Sequence, residues 1–356
     1  ALLDEPVRPL WSSGAVVMLV SLFVLAGWDE SRKCRQRRLV ELQKINRWQL
    51  ARKQRRWDDV PVPHFDVPSQ HMAVAKDLDL FGHASLFQLT CLAHTPRGIA
   101  TLADWILEPS TTEEIQQRQN AVQELVEARE LREELSLRNH LLAKGLADPN
   151  SFERWVEGPS LLEKRPGLKW ATRLLPALLL LALAFMVSGW LVASTAALVI
   201  VVLLCLNMLL SIIYSGTIHD LFDRISTREG ELTQYVALFD LMGRIPHQSV
   251  KLTRLHNMVA QQDGGALRHL RRLHGIMRWA GARHDPILGL FYFGLQAIFL
   301  WDFHVLYFLE RWQHRCRHLV RGWFNALGEM ESLFSLACLS HDQPEWTFPQ
   351  LVSRDV

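Results

Sequence analysis

Leu174 to Ile218 reads LLPALLLLALAFMVSGWLVASTAALVIVVLLCLNMLLSIIYSGTI, 45 residues without an Asp, Glu, Lys, Arg or His. A helix crosses the hydrocarbon core with about 20 apolar residues, so this run is too long for one span and suits two joined by a tight turn. Ser188, Gly189, Trp190, Ser194 and Thr195 are its least apolar stretch and mark the turn. The expectation is a helical hairpin, Leu174 to Ser188 and Leu191 to Tyr214, whose first arm is free to start as early as Trp170. This excludes a soluble reading of the whole chain, although 356 residues with 49% hydrophobic content, 21% charged content and a net charge of +2 look ordinary on average. Abundant apolar residues, aperiodic glycine and five scattered cysteines also exclude disorder, collagen and a disulfide-stapled secreted fold.

Working outward, Pro9 to Trp28 is a second uncharged run, 20 residues long and bracketed by Trp11 and Trp28 as interfacial anchors would be. Its amino-terminal flank has Arg8 against Asp4 and Glu5, and no small-residue cleavage site precedes the basic stretch. A retained span is therefore preferred to a signal peptide. Arg32 to Arg56 contains eleven basic residues (Arg32, Lys33, Arg35, Arg37, Arg38, Lys44, Arg47, Arg52, Lys53, Arg55 and Arg56) and one acid, Glu41. Such a flank stays in the cytoplasm. The hairpin agrees, with Lys164, Arg165, Lys169 and Arg173 before it and Arg224 and Arg228 after it. Outside the collar remain 28 basic and 36 acidic residues, so the positive charge is concentrated beside a span. Arg32, Lys33, Arg35, Arg37 and Arg38 are the candidate phosphate or lipid contacts, with headgroup contact preferred to nucleic-acid binding.

Pro286 to Trp301 is a shorter uncharged run of 16 residues, read as a helix of the cytoplasmic core because crossing would strand Arg311, Arg315, Arg317 and Arg321 outside. The remaining text is helical. Ser110 with Glu113 and Thr111 with Glu114 have capping-box spacing after Pro109, and Ile115, Val122, Leu125 and Val126 recur at helical spacing. Leu86, Leu89, Leu92 and Ala93 form one face that breaks at Thr95-Pro96 and resumes with Ile99, Leu102 and Ile106. A stripe from Ile218 through Phe222, Ile225, Leu232, Tyr235 and Phe239 to Met242 predicts that the second membrane helix continues as a lever-like rod, stopped by Pro246. Leu252, Leu255 and Val259, Leu267 to Met277, and Leu306 to Leu336 predict further helices ending before Pro344. The fold class is all-α, a helical lever and core bundle plus transmembrane helices. Its expected divisions are a span at 1–31, a basic linker at 32–75, core and lever helices at 76–172, the hairpin at 173–216, further lever helices at 217–343 and a linker at 344–356.

No nucleotide-binding loop, GxGxxG, HExxH, CxxC or GxSxG occurs. His314, Cys316 and His318 lack a further ligand at metal spacing and read as helix surface. Cys34, Cys91, Cys205, Cys316 and Cys338 form no pattern and are expected to be reduced. Asp302 and His304 read as paired polar groups within a helical core, and Arg268, Arg271, Arg272, Arg278 and Arg283 as a solvated face. No catalytic, metal-binding or cofactor-binding residue is assigned.

Asp77-Leu78-Asp79-Leu80-Phe81-Gly82, Ser85-Leu86-Phe87, His94-Thr95-Pro96-Arg97-Gly98, Trp105-Ile106-Leu107-Glu108-Pro109, Ile115 and Arg118-Gln119-Asn120-Ala121-Val122 resemble, in order and spacing, the start of the core and lever region of MutS-type DNA mismatch repair proteins. Ala326 to Ala337 resembles the family's last lever helix, and Trp346-Thr347-Phe348-Pro349 its link to the ATPase domain. The motif residues carried over are Asp79, Phe81, Thr95, Pro96, Gly98, Pro109, Arg118, Ala121, Val122, Glu329 and Ser335. The chain departs from repair MutS in having a hairpin where the family has its DNA clamp, and a span where it has its mismatch-reading domain. It thus resembles the membrane-bound branch of MutS-related proteins.

That resemblance implies a fragment whose function is to couple the motion of an ATPase domain, missing from this chain, to membrane helices. ATP and magnesium are the cofactors expected of the missing domain. Membrane lipid is the expected partner, together with homo-oligomerisation through that domain, while DNA is implied by the family but has no reader in this segment. The expected location is integral in a bacterial inner membrane, with the bulk cytoplasmic. The rival readings are a non-enzymatic membrane scaffold that docks a cytoplasmic protein, and a small transporter or channel, for which Asn207 is the strong polar candidate within the spans and a bundle-facing hydrogen bond is its simpler explanation.

Overall fold

The computed structural model describes residues 7–145, 151–162, 165–189, 193–226, 229–261, 264–281 and 288–350. Among them every regular element is helical: α1 Val7–Lys53, α2 Met72–Asp77, α3 Leu86–Thr90, α4 Pro96–Leu107, α5 Thr112–Val126, α6 Arg129–Gly145, α7 Ser151–Glu157, α8 Pro166–Val187, α9 Ala193–Ser226, α10 Glu229–Met242, α11 Val250–Ala260, α12 Ala266–Gly281, α13 Leu288–Phe299, α14 Trp301–Cys316 and α15 Val320–Asp342. The chain is all-α, and two helices are long and apolar enough to cross a membrane, Gly167–Val187 and Ser194–Phe222.

These two pack against each other as the arms of a hairpin. Gly189, at φ +72°, begins the connection in a conformation that glycine adopts at no steric cost. Trp190, also assigned to the turn, and Leu191, assigned as the start of the second arm, lie outside the described residues, while Ser194 and Thr195 belong to α9. The first arm starts at Pro166, before Trp170, because Pro at a helix's first position leaves no donor unsatisfied. The arms present bare aliphatic surface: Val187 is 84% exposed, Leu198 65% and Ile213 61%. Exposed apolar surface of this extent marks a membrane or partner contact.

Beside the hairpin lies a helical bundle with one large core, drawn from α5 to α7, the foot of α9, α10 to α12, α14 and α15. The α15 helix is its axis, packing closely on α4 and α5. Thr95 caps α4 and Thr111 caps α5, each hydroxyl accepting the amide three residues on. Of the two overlapping capping boxes, the one beginning at Thr111 is therefore used. Pro246 lies beyond α10, which ends at Met242. The long stripe is shared between α9 and α10, whose junction at residues 227–228 lies outside the described residues.

Two sequence expectations are corrected. The segment 32–75 is not a linker throughout, since α1 runs unbroken to Lys53. Ile45, Ala51 and Arg52 are buried, giving the basic helix one face on which to pack against α6. Arg32, Lys33, Arg35, Arg37 and Arg38 are exposed. The side chains of most of Pro9–Trp28 lie outside the described residues, although the backbone there is helical. The second correction, to Pro286–Trp301, is partial: Leu300 and Trp301 join the main core, while α13 packs against α9, α8 and α14. Its Gln296 bonds Ser211 of α9, and its Tyr292 bonds Asp302 of α14.

Candidate membrane-coupling site

The α9 helix passes from apolar surroundings into the protein core without a break, because its side chains change character along its length. Its upper part is exposed and aliphatic, whereas Ile218 and Phe222 at its foot are each only 1% exposed. Asn207, Ser211 and His219 fall on one face at multiples of four residues. All three meet the joint between α13 and α14.

That joint is an 80° bend at Leu300, a fully buried residue in the left-handed conformation with φ 52° and ψ 52°. A non-glycine residue there costs of order 1–3 kcal/mol and persists where its surroundings over-determine it. Here they do. Asn207 Nδ2 donates to the carbonyls of Ala297 at 3.0 Å and Ile298 at 3.4 Å, satisfying the carbonyls that the end of α13 leaves free. Gln296 Nε2 donates to Ser211 Oγ at 2.8 Å, while its Oε1 accepts the Asp302 amide at 2.9 Å across the bend. The Asp302 carboxylate, itself buried, receives Tyr292 OH at 2.6 Å and pairs with His219 Nε2 at 3.0 Å. A chain of polar contacts thus joins the membrane shaft to the elbow in an otherwise apolar setting. Each of its members is worth more there than in water.

Two cation–ring contacts lie near the hairpin's foot. Arg165 Nη1 donates to Tyr214 OH at 3.1 Å, closing α8 on α9, and the Arg173 guanidinium stands 5.2 Å from the Tyr307 ring of α14.

A second interlock carries the bundle's axis, and it brings together Thr95, Gly98 and Ser335 of the quoted motif. Glu331 of α15 is buried and accepts the amides of His94 at 3.1 Å and Thr95 at 3.3 Å as well as the Thr95 hydroxyl, so it caps the start of α4. Burial pushes its carboxyl up to about 7, against the pull of those three donors. Beside it, His94 is pushed down to about 3 by its own burial and by His140. The helices approach this closely because Gly98 faces Glu331 and Gly328 faces α4. A Cβ at Gly98 would sit 2.9 Å from that of Glu331, and one at Gly328 3.0 Å from the Arg97 carbonyl oxygen. Ser335 Oγ accepts the Leu92 amide at 3.1 Å, fixing the chain just ahead of the break.

The other motif residues are distributed around this joint. Glu329 pairs at 2.7 Å with Lys251, which also holds Glu114 at 2.7 Å; Glu114 pairs with Arg118, whose guanidinium stacks 4.0 Å over Trp105. Ala121 and Val122 belong to the main core. Phe81 stacks with Phe65 and Phe87 at 5.4 and 4.9 Å, and Asp79 takes a positive φ of 51° in the turn that precedes it. Pro96 starts α4 at its first position, and Pro109 stands between α4 and α5. Of the basic residues, Arg38 pairs with Glu134 of α6, Lys33 with Asp29, and Arg32 stacks over Trp28. They belong to α1 and are remote in sequence from both interlocks.

Sequence reasoning missed Glu331, Gln296, Tyr292, Ser211 and His219 as members of these networks. A usable signal existed for Gln296, a polar side chain inside an apolar run. For Glu331 only the opposing Gly98 and Thr95 reveal the role. Cys316, from the metal-like trio, points its sulfur at His269 Nδ1 at 3.3 Å in the core.

No family model, curated protein or solved structure matches the chain.

Proposed function

We propose that the chain is a membrane-anchored coupling module, the lever portion of a MutS-like ATPase, which carries motion between a nucleotide-driven domain and membrane helices. The observation that carries this reading is α9, one 34-residue helix about 51 Å long that is aliphatic and exposed above and buried in the core at Ile218 and Phe222 below. A rod of that kind transmits tilt without a flexible joint, and its polar bonds to the Leu300 elbow extend the linkage into α14. The interlock of Thr95, Gly98, Gly328, Glu331 and Ser335 supports the MutS-like part, since it gives the quoted motif a common mechanical task.

In this reading the bundle faces the cytoplasm of a bacterial inner membrane, as the basic flanks direct, and Pro9–Trp28 is a further span. ATP and magnesium act in the partner domain, through which copies associate. DNA, the family's ligand, is a partner to be tested by salt-dependent binding.

The test is made on the whole gene product in bilayer nanodiscs. Spin labels at Leu206 and at Trp346 should change separation on addition of ATP with magnesium. An unchanged distance distribution, together with no ATP hydrolysis, removes the coupling role.

A second reading, a membrane scaffold, is favoured by an apolar groove of about 360 Å³ among Trp105, Ile115, Val122, Leu336 and Phe348. It predicts ATP-independent retention of a cytoplasmic protein on that groove.

A further inference from the structure

A cavity of about 410 Å³ opens at the foot of the hairpin, between α9, α14 and the connection from α7 to α8. Its lining includes Arg165, Thr217 and Asp220 with the apolar Leu221 and Leu309, and Glu310 stands on the α14 side. The cavity begins where the membrane arms end: Arg165 donates to Tyr214 OH at 3.1 Å, and Asp220 lies six residues, about 9 Å, further down α9. The cation thus stands beside Tyr214 of α9, and the Asp220 carboxylate lies further along the helix away from the hairpin turn. Glu310 is held by the amides of Leu161 and Leu162. Asp220 makes no ion pair or hydrogen bond among the described residues, although it lines a cavity.

We propose that this cavity binds the headgroup of a zwitterionic aminophospholipid, its phosphate on Arg165 and its primary ammonium on Asp220 and Glu310. The order of charge matches such a headgroup, whose phosphate lies nearer the acyl chains than its amine. Among the described residues the lining has one cation and two carboxylates, and those carboxylates oppose a headgroup of net negative charge. An ammonium offers N–H donors for charge-assisted bonds to carboxylates, which the methylated amine of a choline headgroup lacks. The exposed aliphatic arms of α8 and α9 supply the surface along which the lipid's chains would lie, so the proposal rests on the hairpin being in the membrane.

The test uses the full chain reconstituted in bilayers of dioleoyl phosphatidylcholine containing equal small fractions of dioleoyl phosphatidylethanolamine and phosphatidylglycerol, followed by native mass spectrometry of lipids retained after gentle detergent release. The wild-type protein should keep one phosphatidylethanolamine about tenfold over either competitor, the worth of one charge-assisted bond. Asp220→Asn should bring the ratio to parity while leaving helicity and thermal unfolding unchanged, and Arg165→Gln should lower retention of all three lipids, since each carries the phosphate. Equal retention of the three lipids by the wild type overturns the proposal with the membrane reading intact, as does an unchanged preference in folded Asp220→Asn. Extraction of the protein from the bilayer by alkaline carbonate overturns both.

Discussion

Asp302 and His219 meet at 3.0 Å, a carboxylate just past the α13–α14 elbow and an imidazole at the foot of the membrane shaft. The pair is separated by 83 positions in sequence and is the one ionisable contact joining α9 to the elbow among the described residues.

Asp302→Ala removes the acceptor of both Tyr292 OH, which is buried, and His219, which is about one-third exposed at 34%. The expected cost is about 2–4 kcal/mol, read as a lowered midpoint in denaturant titration of the detergent-solubilised protein. Asp302→Asn keeps an acceptor and should cost less than half as much. If the two variants unfold alike, the carboxylate has no special part in the joint.

At Gly98 a methyl group has nowhere to go, because the Cβ of Glu331 stands 2.9 Å from where it would be. Gly98→Ala is expected to destabilise the protein by about 1–3 kcal/mol through overpacking. Gly216→Ala is the control, since nothing lies within 4 Å of its would-be Cβ and alanine favours a helix. Thermal melts should separate the two variants by several degrees.

Stability should depend on pH through two adjacent groups with opposite signs. The raised carboxyl of Glu331, about 7 when folded, contributes stability that is complete below about 4.5 and lost as pH rises through 7. The depressed imidazole of His94, about 3 when folded, contributes stability present above 6.5 and lost as pH falls toward 3. Between about 4.5 and 6.5 the two trends offset. Glu331→Gln should leave only a rise toward pH 6.5, and His94→Gln only a fall from pH 4.5 to 7. Chemical denaturation across pH 3–8 reads both, and identical profiles for wild type and Glu331→Gln would dismiss the carboxyl's part.

Lys251, with a side chain 4% exposed, neutralises both Glu114 and Glu329. Lys251→Met strands the partly buried Glu329 and leaves Glu114 with Arg118 alone, and should cost about 1–3 kcal/mol. The double variant Lys251→Met with Glu329→Gln should recover part of that loss. A purely additive double variant would show that the two residues act separately.

Much of the architecture could be read from the sequence, because apolar runs and helical stripes report directly on which surface a helix must bury. Leu174–Ile218 gave the hairpin, and Thr95-Pro96 gave the break between α3 and α4. Within Pro286–Trp301, Leu300 and Trp301 reach the core while hydrogen bonds join Gln296, Ala297 and Ile298 to partners some 90 residues away, a pairing that the run's length and composition do not announce. The basic segment after Trp28 was taken for a linker because eleven charges obscure the Ile45, Ala51 and Arg52 face. Glu331 had no local signature, since a capping carboxylate supplied from another helix leaves no mark near the helix it caps.

The unbroken course of α9 makes bilayer thickness a mechanical input to the bundle. A membrane thinner than the helix's apolar length tilts it. With Ile218 and Phe222 fixed in the core, a tilt of about 10° displaces the upper end by about 5 Å over its free length of roughly 30 Å. The strain must then appear at the Leu300 elbow. Shortening the acyl chains of the surrounding lipid should therefore alter hydrogen exchange at Leu300 and Asp302 before it alters any residue of α15, and an unvarying pattern across chain lengths would show the shaft to be mechanically idle.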